Sequence, residues 1–412
     1  MTYVEFFDPA SVRNILTALM DPPNRVVIIG SSTKHIGKFI KRYEGLFNNV
    51  EFIPRSVSRS NLDKAVEQIE KIIDDYGDCI FDITGGDEIL NMALGVVYAK
   101  RPQDVKFHRI TLEQNTVHDC DKDGITIERN LPDLTVEESV HIYGGEVVTG
   151  DVASQHTYYY DITDDFRESV QLMWEVYCED LRKWSRQVNV FEAAITLGKW
   201  SEDGLTVTAD RAEVERYLLE TGRVYRKEQT VIDDLSDCGC LLRFDDTVPG
   251  EITLSFRDLQ VRRVLSRAGT ILEVKVYLTL LEPDLGYTDC LTGVKIDWDG
   301  LRKEETDEDY ENYIETDNEI DVLAMRGAVP IFLSCKSGYI DANELYKLET
   351  VARRFGGPYA KLVLVANGIP NNKYGENIRD RAKQMKIHLI EAVHKLDDSQ
   401  LKEKMDHLWE IE

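Results

Sequence analysis

The chain is 412 residues long and 42% hydrophobic, enough for roughly two or three packed domains and too apolar for a disordered or fibrous protein. A formal net charge of −26 argues against tight, non-specific binding to duplex DNA, which needs several cationic contacts to phosphate; a nucleic-acid enzyme with this charge should have a local basic groove. Seven scattered cysteines, a start lacking a basic and apolar leader, and no apolar run of membrane-spanning length indicate a reduced, cytoplasmic protein without a membrane anchor.

In chain order, Arg25 to Ile29 reads as a short buried strand ending in Gly30-Ser31-Ser32-Thr33. A helix over 34–46 and a strand from Asn49 to Ile53 follow. The next helix, 60–76, places Leu62, Val66, Ile69 and Ile72 on one face. Cys79 to Ile83 is a second buried strand, ending in Thr84-Gly85-Gly86-Asp87. A helix through Leu90, Leu94 and Val97 and a strand from Val105 to Leu112 complete the pattern. Such alternation predicts a parallel sheet with helices on both faces. Ligands of these sheets sit beyond the carboxyl ends of the strands, beside helix N-termini, where both small-residue turns fall. Neither turn is a P-loop, and the absence of a G-x-G-x-x-G argues against a dinucleotide cofactor.

Further on, Phe166 to Trp184 reads as one long helix and 210–223 as another, within a connecting, winged-helix-like segment that could carry dimer contacts. Cys238-Gly239-Cys240 is too closely spaced for a usual zinc pair. His35 follows the first turn and could meet a phosphate, whereas His118, His141 and His156 show no metal spacing. A long helix is expected from Arg257 to Leu281. Its start carries Arg257, Arg262, Arg263 and Arg267, the best candidate for a local basic groove.

The last third holds the most chemical pattern. Glu273 lies in the helical stretch among Ile271, Leu272, Val274 and Val276, and Val294–Trp298 is a strand. Strand alternation over 318–323 puts Glu319 and Asp321 on one face and Ile320 and Val322 on the other. Over 331–336 it puts Ser334 and Lys336 opposite Ile331, Leu333 and Cys335. Carboxylates hold a hard divalent cation, and a lysine beside them steadies an attacking water and developing phosphate charge.

Two resemblances converge on these residues. Strand-Gly30-Ser31-Ser32-Thr33 and strand-Thr84-Gly85-Gly86 resemble the CARF domain, the cyclic-oligoadenylate sensor of type III CRISPR defence. Helix-Glu273, strand-Asp321 and strand-Ser334-Cys335-Lys336 resemble the PD-(D/E)xK restriction-like nuclease core. Together they imply an α/β protein with a Rossmann-like CARF sensor over 1–150, a linking and dimerising segment over 151–255, and a nuclease domain over 256–412. The resemblance implies that Gly30, Ser31, Ser32, Thr33, Thr84, Gly85 and Gly86 touch the cyclic ligand across a two-fold homodimer. It also implies Mn²⁺ or Mg²⁺ held by Glu273, Asp321 and the Cys335 carbonyl, with Lys336 as the catalytic lysine. Ser334 departs from the family pattern, which has a carboxylate there; Glu319 is a reserve ligand. The expected activity is cleavage of DNA or RNA, switched on by cyclic tetra-adenylate. The alternative is a sensor that binds the ligand and regulates a partner through a nuclease fold that no longer cuts.

Overall fold

The computed structural model describes residues 1–8, 10–120, 126–149, 157–298 and 317–409; His156 and the expected boundary at 150 and 151 lie outside them. Among the described residues the fold is mixed α/β, built on three sheets.

The first sheet contains β1 (Thr2–Phe6), β2 (Arg25–Gly30), β3 (Glu51–Ser56), β4 (Cys79–Asp82), β5 (Val105–Thr111), β6 (Thr116–Cys120) and β7 (Thr126–Asn130). Their spatial order is β3-β2-β1-β4-β5-β6-β7. β1 to β5 run parallel, and β6 and β7 return antiparallel. Helices α1 (Leu16–Met20), α2 (Thr33–Tyr43), α3 (Leu62–Tyr76) and α4 (Glu88–Lys100) connect them. Val4, Phe6, Val27, Ile29 and Phe81 are packed with Val66, Ile69, Leu90 and Leu94 of α3 and α4, while Tyr3, Val26 and Ile28 share a core with α1 and α2. β1 is absent from the sequence expectation, yet it is the strand beside which the order reverses. The chain runs outward through β2 and β3, then crosses back to β4 and β5. A crevice at such a reversal is where open α/β sheets bind ligands.

The chain then leaves this sheet. α5 (Val136–Ile142) begins with a capping box at Thr135 and Glu138, and β8 (Glu146–Val147) pairs with a strand of the third sheet. The end of the expected sensor range therefore belongs structurally to the third sheet. The long helix expected from Phe166 to Trp184 is two: α6 (Asp164–Glu179) and α7 (Leu181–Leu197). Asp180 takes an extended conformation between them and caps α7, accepting from the N–H groups of Arg182 and Lys183. β9 (Lys199–Trp200), β10 (Thr206–Asp210), β11 (Leu241–Asp245) and β12 (Glu251–Phe256) form an antiparallel sheet, order β11-β12-β10-β9. α8 (Arg211–Glu220) and α9 (Gln229–Asp237) lie between its strands in sequence.

The helix expected from Arg257 to Leu281 also breaks, into α10 (Leu259–Val264) and α11 (Thr270–Leu280). Trp184 Nε1 donates to the Ala268 carbonyl in the break at 3.1 Å. The third sheet comprises β13 (Asp289–Asp297), β14 (Asp317–Arg326), β15 (Val329–Lys336), β16 (Lys361–Ala366) and β17 (Ile387–Glu391) with β8, in order β17-β16-β15-β14-β13-β8. One face packs on α6, α11 and α14 (Asp398–Asp406), the other on α5, α12 (Ala342–Gly356) and α13 (Lys373–Gln384). The core on that second face runs without interruption into the first sheet: Ile296 and Leu323 share it with Val140 of α5 and Tyr3 of β1. No helix among the described residues is long and apolar enough to cross a membrane.

Candidate functional site

The two antiparallel strands β14 and β15 pair from Arg326 and Val329 as far as Val322 and Leu333, and their ladder stops there. The Asp321 carboxylate fills the gap. Its Oδ2 accepts from the Cys335 N–H at 2.6 Å, the Ser334 hydroxyl at 3.1 Å and Lys336 Nζ at 3.2 Å. Asp321 thus satisfies a backbone donor that the ladder has released, which fixes its position on the scaffold rather than on a mobile loop. All three bonds fall on one oxygen and leave Oδ1 for a further ligand.

Strand alternation does not hold across this point. Ile320 joins the core shared with the first sheet, whereas Val322 joins the core beneath α11. The neighbouring strand has Gly293 at φ 59° between its pairs Thr292–Val322 and Val294–Ile320. A left-handed residue bends a strand in this way, and glycine adopts it freely. The expected shared face of Ile320 and Val322 is therefore corrected. Glu319 instead faces Lys295 at 3.5 Å and Arg267 at 3.8 Å, while Asp321 turns to Lys336.

Lys336 also lies 3.6 Å from Glu344 at the start of α12, and Glu344 is 2.9 Å from Lys347. These groups, with Asn318, Glu319, Asp321 and Ser334, line a cavity of about 250 Å³. Glu344 is not in the sequence expectation. Its position in the first turn of the helix that follows the Lys336 strand is the signal that could have found it. Burial works against the charge on Lys336, but Asp321 and Glu344 outweigh it and its pKa is raised.

Glu273 stands in the first turn of α11, where the helix N-terminus favours a negative charge. With Glu319, Arg267, Thr292 and Tyr160 it lines a smaller adjoining cavity. Its carboxyl is pushed well above the usual range, first by burial and then by repulsion from Asp321 and Glu319. Such crowding of like charges is what a bound cation relieves, and the oxygen donors of Glu273 and Asp321 are hard ligands of the kind Mg²⁺ and Mn²⁺ take. The residues present therefore fit a divalent ion. As placed, Glu273, Glu319 and Asp321 do not bring three ligand atoms within 4.8 Å of one another among the described residues.

The expected basic groove is largely occupied. Arg257 pairs with Asp258 and Asp165, Arg262 donates to the Gly204 carbonyl over the Trp200 ring, and Arg263 covers Tyr158. Arg263 and Arg267 both line the Glu273 cavity, and Arg267 reaches Glu319 with its side chain 64% exposed. Cys335 turns its thiol into the core, where burial raises its pKa, so it offers no nucleophile. Tyr160 stacks on Phe166 at 5.1 Å, a packing role.

In the first sheet both small-residue turns lie at the carboxyl ends of parallel strands, flanking the end of β1. Gly30 ends β2 and packs near Phe7, while Ser31, Ser32 and Thr33 are exposed at the start of α2, with Ser32 capping it through the His35 N–H. A Cβ on Gly85 would collide with the Phe6 carbonyl, and one on Gly86, at φ 83°, would meet the Phe6 ring at 2.6 Å. The Thr84 hydroxyl is already engaged: it bonds the Asp82 carboxylate and accepts from the Ile110 N–H at 2.6 Å. That leaves the exposed Ser31–Thr33 edge and the glycine backbone as the groups open to a ligand.

The same fold occurs in solved structures at low sequence identity. Can2 from Sulfobacillus thermosulfidooxidans, solved in complex with cyclic tetra-adenylate, aligns over 100% of this chain and 99% of its own, with a TM-score of 0.65 and 16% identity. VC1899 from Vibrio cholerae aligns over 99% and 97%, with a TM-score of 0.68 and 17% identity. No family model and no curated protein sequence matches the chain.

Proposed function

We propose that the chain is a cyclic-oligoadenylate-gated, divalent-metal-dependent endonuclease of type III CRISPR antiviral defence, acting on DNA or RNA as a homodimer in the cytoplasm. The observation that carries this reading is the fixed Asp321 carboxylate, bonded by Lys336 and lining a cavity, with its charge acting on the buried carboxyl of Glu273. The full-length likeness to a protein solved with cyclic tetra-adenylate supports the choice of ligand. Residues 1–150 are proposed as the sensor, 151–255 as linker and dimer segment, and 256–412 as nuclease. Gly30, Ser31, Ser32, Thr33, Thr84, Gly85 and Gly86 grip one half of the ligand, Thr84 by shaping its turn.

Glu273, Asp321 and the Cys335 carbonyl would hold Mg²⁺ or Mn²⁺, which when bound would supply Lewis-acid chemistry to a phosphate and a water. Lys336, held charged by Asp321, opposes the charge that develops on the phosphate. Ser334 keeps Asp321 oriented rather than acting as a ligand itself. Ligand binding favours a closed dimer by its differential affinity for that state.

The test is cleavage of labelled single-stranded DNA, single-stranded RNA and plasmid, with Mn²⁺ or Mg²⁺, with and without cyclic tetra-adenylate. Cutting that requires the ligand and disappears in Asp321→Ala and Lys336→Ala supports the reading. A second reading, a regulator that binds but does not cut, is favoured by the serine at 334. Tight ligand binding with no cleavage of any substrate would establish it instead.

A further inference from the structure

Three side chains of the first sheet meet outside both sites described above. Glu5 of β1 is the register partner of Asp82 on β4, and Asp82 is the partner of His108 on β5. Register partners on parallel strands point to the same face, so the three project side by side, about one strand spacing apart. They are 0%, 2% and 1% exposed. One ligand atom from each lies within 4.8 Å of the others, and His108 Nε2 is 3.6 Å from Glu5 Oε1.

Some of their hydrogen-bonding capacity is met. Thr17 of α1 donates to Glu5 Oε1 at 3.2 Å, and the Thr84 N–H donates to Asp82 Oδ1 at 2.7 Å. His108 Nε2 and, while both carboxyls are ionised, Glu5 Oε2 remain buried without a hydrogen-bond partner; a proton on either carboxyl would join Glu5 to Asp82. Among the described residues no lysine or arginine forms an ion pair with Glu5 or Asp82. Native interiors rarely leave carboxyl and imidazole groups in that state. One proton shared between Glu5 and Asp82 quiets a single charge and leaves the imidazole nitrogen unmet. One cation at the centre meets all three groups at once.

The donor set decides which cation. Two carboxylate oxygens and one imidazole nitrogen suit a borderline ion such as Zn²⁺, whereas Ca²⁺ and Mg²⁺ demand more oxygens. Zinc bonds of about 2.1 Å in a tetrahedron hold ligand atoms roughly 3.4 Å apart; His108 Nε2 and Glu5 Oε1 stand 3.6 Å apart, and all three groups offer an atom within 4.8 Å of the others. We infer that Glu5, Asp82 and His108 form a buried structural site for a zinc-class divalent cation that ties β1, β4 and β5 together. Asp82 also holds Thr84, whose hydroxyl anchors the Ile110 N–H. The ion therefore sits directly beneath the Thr84–Gly86 turn and fixes its base, whatever that turn binds.

The experiment uses the full-length chain carrying Asp321→Ala, which disables the third-sheet site. The protein is stripped with chelator, reloaded with Zn²⁺ and freed of excess by gel filtration. The expected result is about one zinc per chain by elemental mass spectrometry and a higher unfolding temperature than the stripped protein. His108→Gln and Asp82→Asn each weaken that binding more than about tenfold. Should either variant fail to fold, Co²⁺ loading of the intact triad decides, since oxygen and nitrogen ligands in a tetrahedron give a strong visible band. Absence of both bound zinc and that band overturns the inference, as does zinc binding unchanged in both variants. A sulfur-to-cobalt charge-transfer band without the oxygen–nitrogen band also overturns it, by placing the metal on cysteine thiolates instead.

Discussion

In the third sheet, Asp321 and Glu319 each lie within 4 Å of a cationic side chain, and both line a cavity of about 250 Å³. In the first sheet, Glu5 and Asp82 are closed off from solvent, and their only ion-pair neighbour among the described residues is a buried histidine. Both regions gather carboxylates, but only one gives them counter-charges and room. The first arrangement leaves space for a substrate that arrives and departs. The second is sealed from solvent and suits a permanent occupant.

The sharpest way to break this contrast is to remove the charge of the open site while keeping its hydrogen bonds. Asp321→Asn retains an acceptor for the Cys335 N–H, so cleavage should fall on the order of a thousandfold while the unfolding temperature changes little. Asp321→Ala leaves that buried donor unmet and should also lose about 1–3 kcal/mol of stability in denaturant titration. Equal loss of stability in both variants would mean that Asp321 is structural first. Lys336→Met should lower cleavage by roughly a hundredfold with no change in cyclic tetra-adenylate affinity by calorimetry.

Over the closed site, Gly85→Ala drives a Cβ into the Phe6 carbonyl and should cost about 1–3 kcal/mol, read by thermal unfolding. A smaller effect separates the two regions by pH. In metal-free protein, burial pushes the Glu5 carboxyl from 4.5 to about 8 and the Asp82 carboxyl from 3.8 to about 7. Both folded values are raised, so the folded state binds more protons than the unfolded state between those limits. Stability from these groups is complete below about pH 4 and declines as pH rises through 7 to 8. Glu5→Gln should flatten that decline in chemical denaturation at stepped pH. Zinc should reverse it, because its ligands bind deprotonated and its stabilisation grows with pH. An unchanged slope in Glu5→Gln would remove the closed cluster from the account.

Much of the fold was legible because apolar runs and small-residue turns mark buried parallel strands: β2 with Gly30–Thr33 and β4 with Thr84–Gly86 stand where they were expected. Periodicity failed where it had no reason to see a break. The apolar faces of α6 and α7 join smoothly across Asp180, and those of α10 and α11 across Ala268 and Gly269, so each pair read as one helix. The five-residue β1 was passed over although it is the pivot of its sheet. Glu273, Asp321, Ser334 and Lys336 were visible as residue types on expected elements. The bend at Gly293 that parts Glu319 from Asp321 was not, because a backbone angle leaves no pattern in side-chain polarity. His108 is illegible for a different reason. Its meeting with Glu5 and Asp82 depends on the register of strands about 77 and 26 residues apart in sequence, which local spacing does not encode.

The uninterrupted core from Tyr3 through Val140 to Ile296, together with the borrowed strand β8, bears on how such a protein can be inherited. A cut at residue 255 or 256 would strip the third sheet of the edge strand β8 and of α5 and α6, which cover part of its two faces. The third sheet is therefore not a cassette that recombination could lift out and attach elsewhere. A duplication or fusion that carried it would have to take α5, β8 and α6 along, or replace them in the same event.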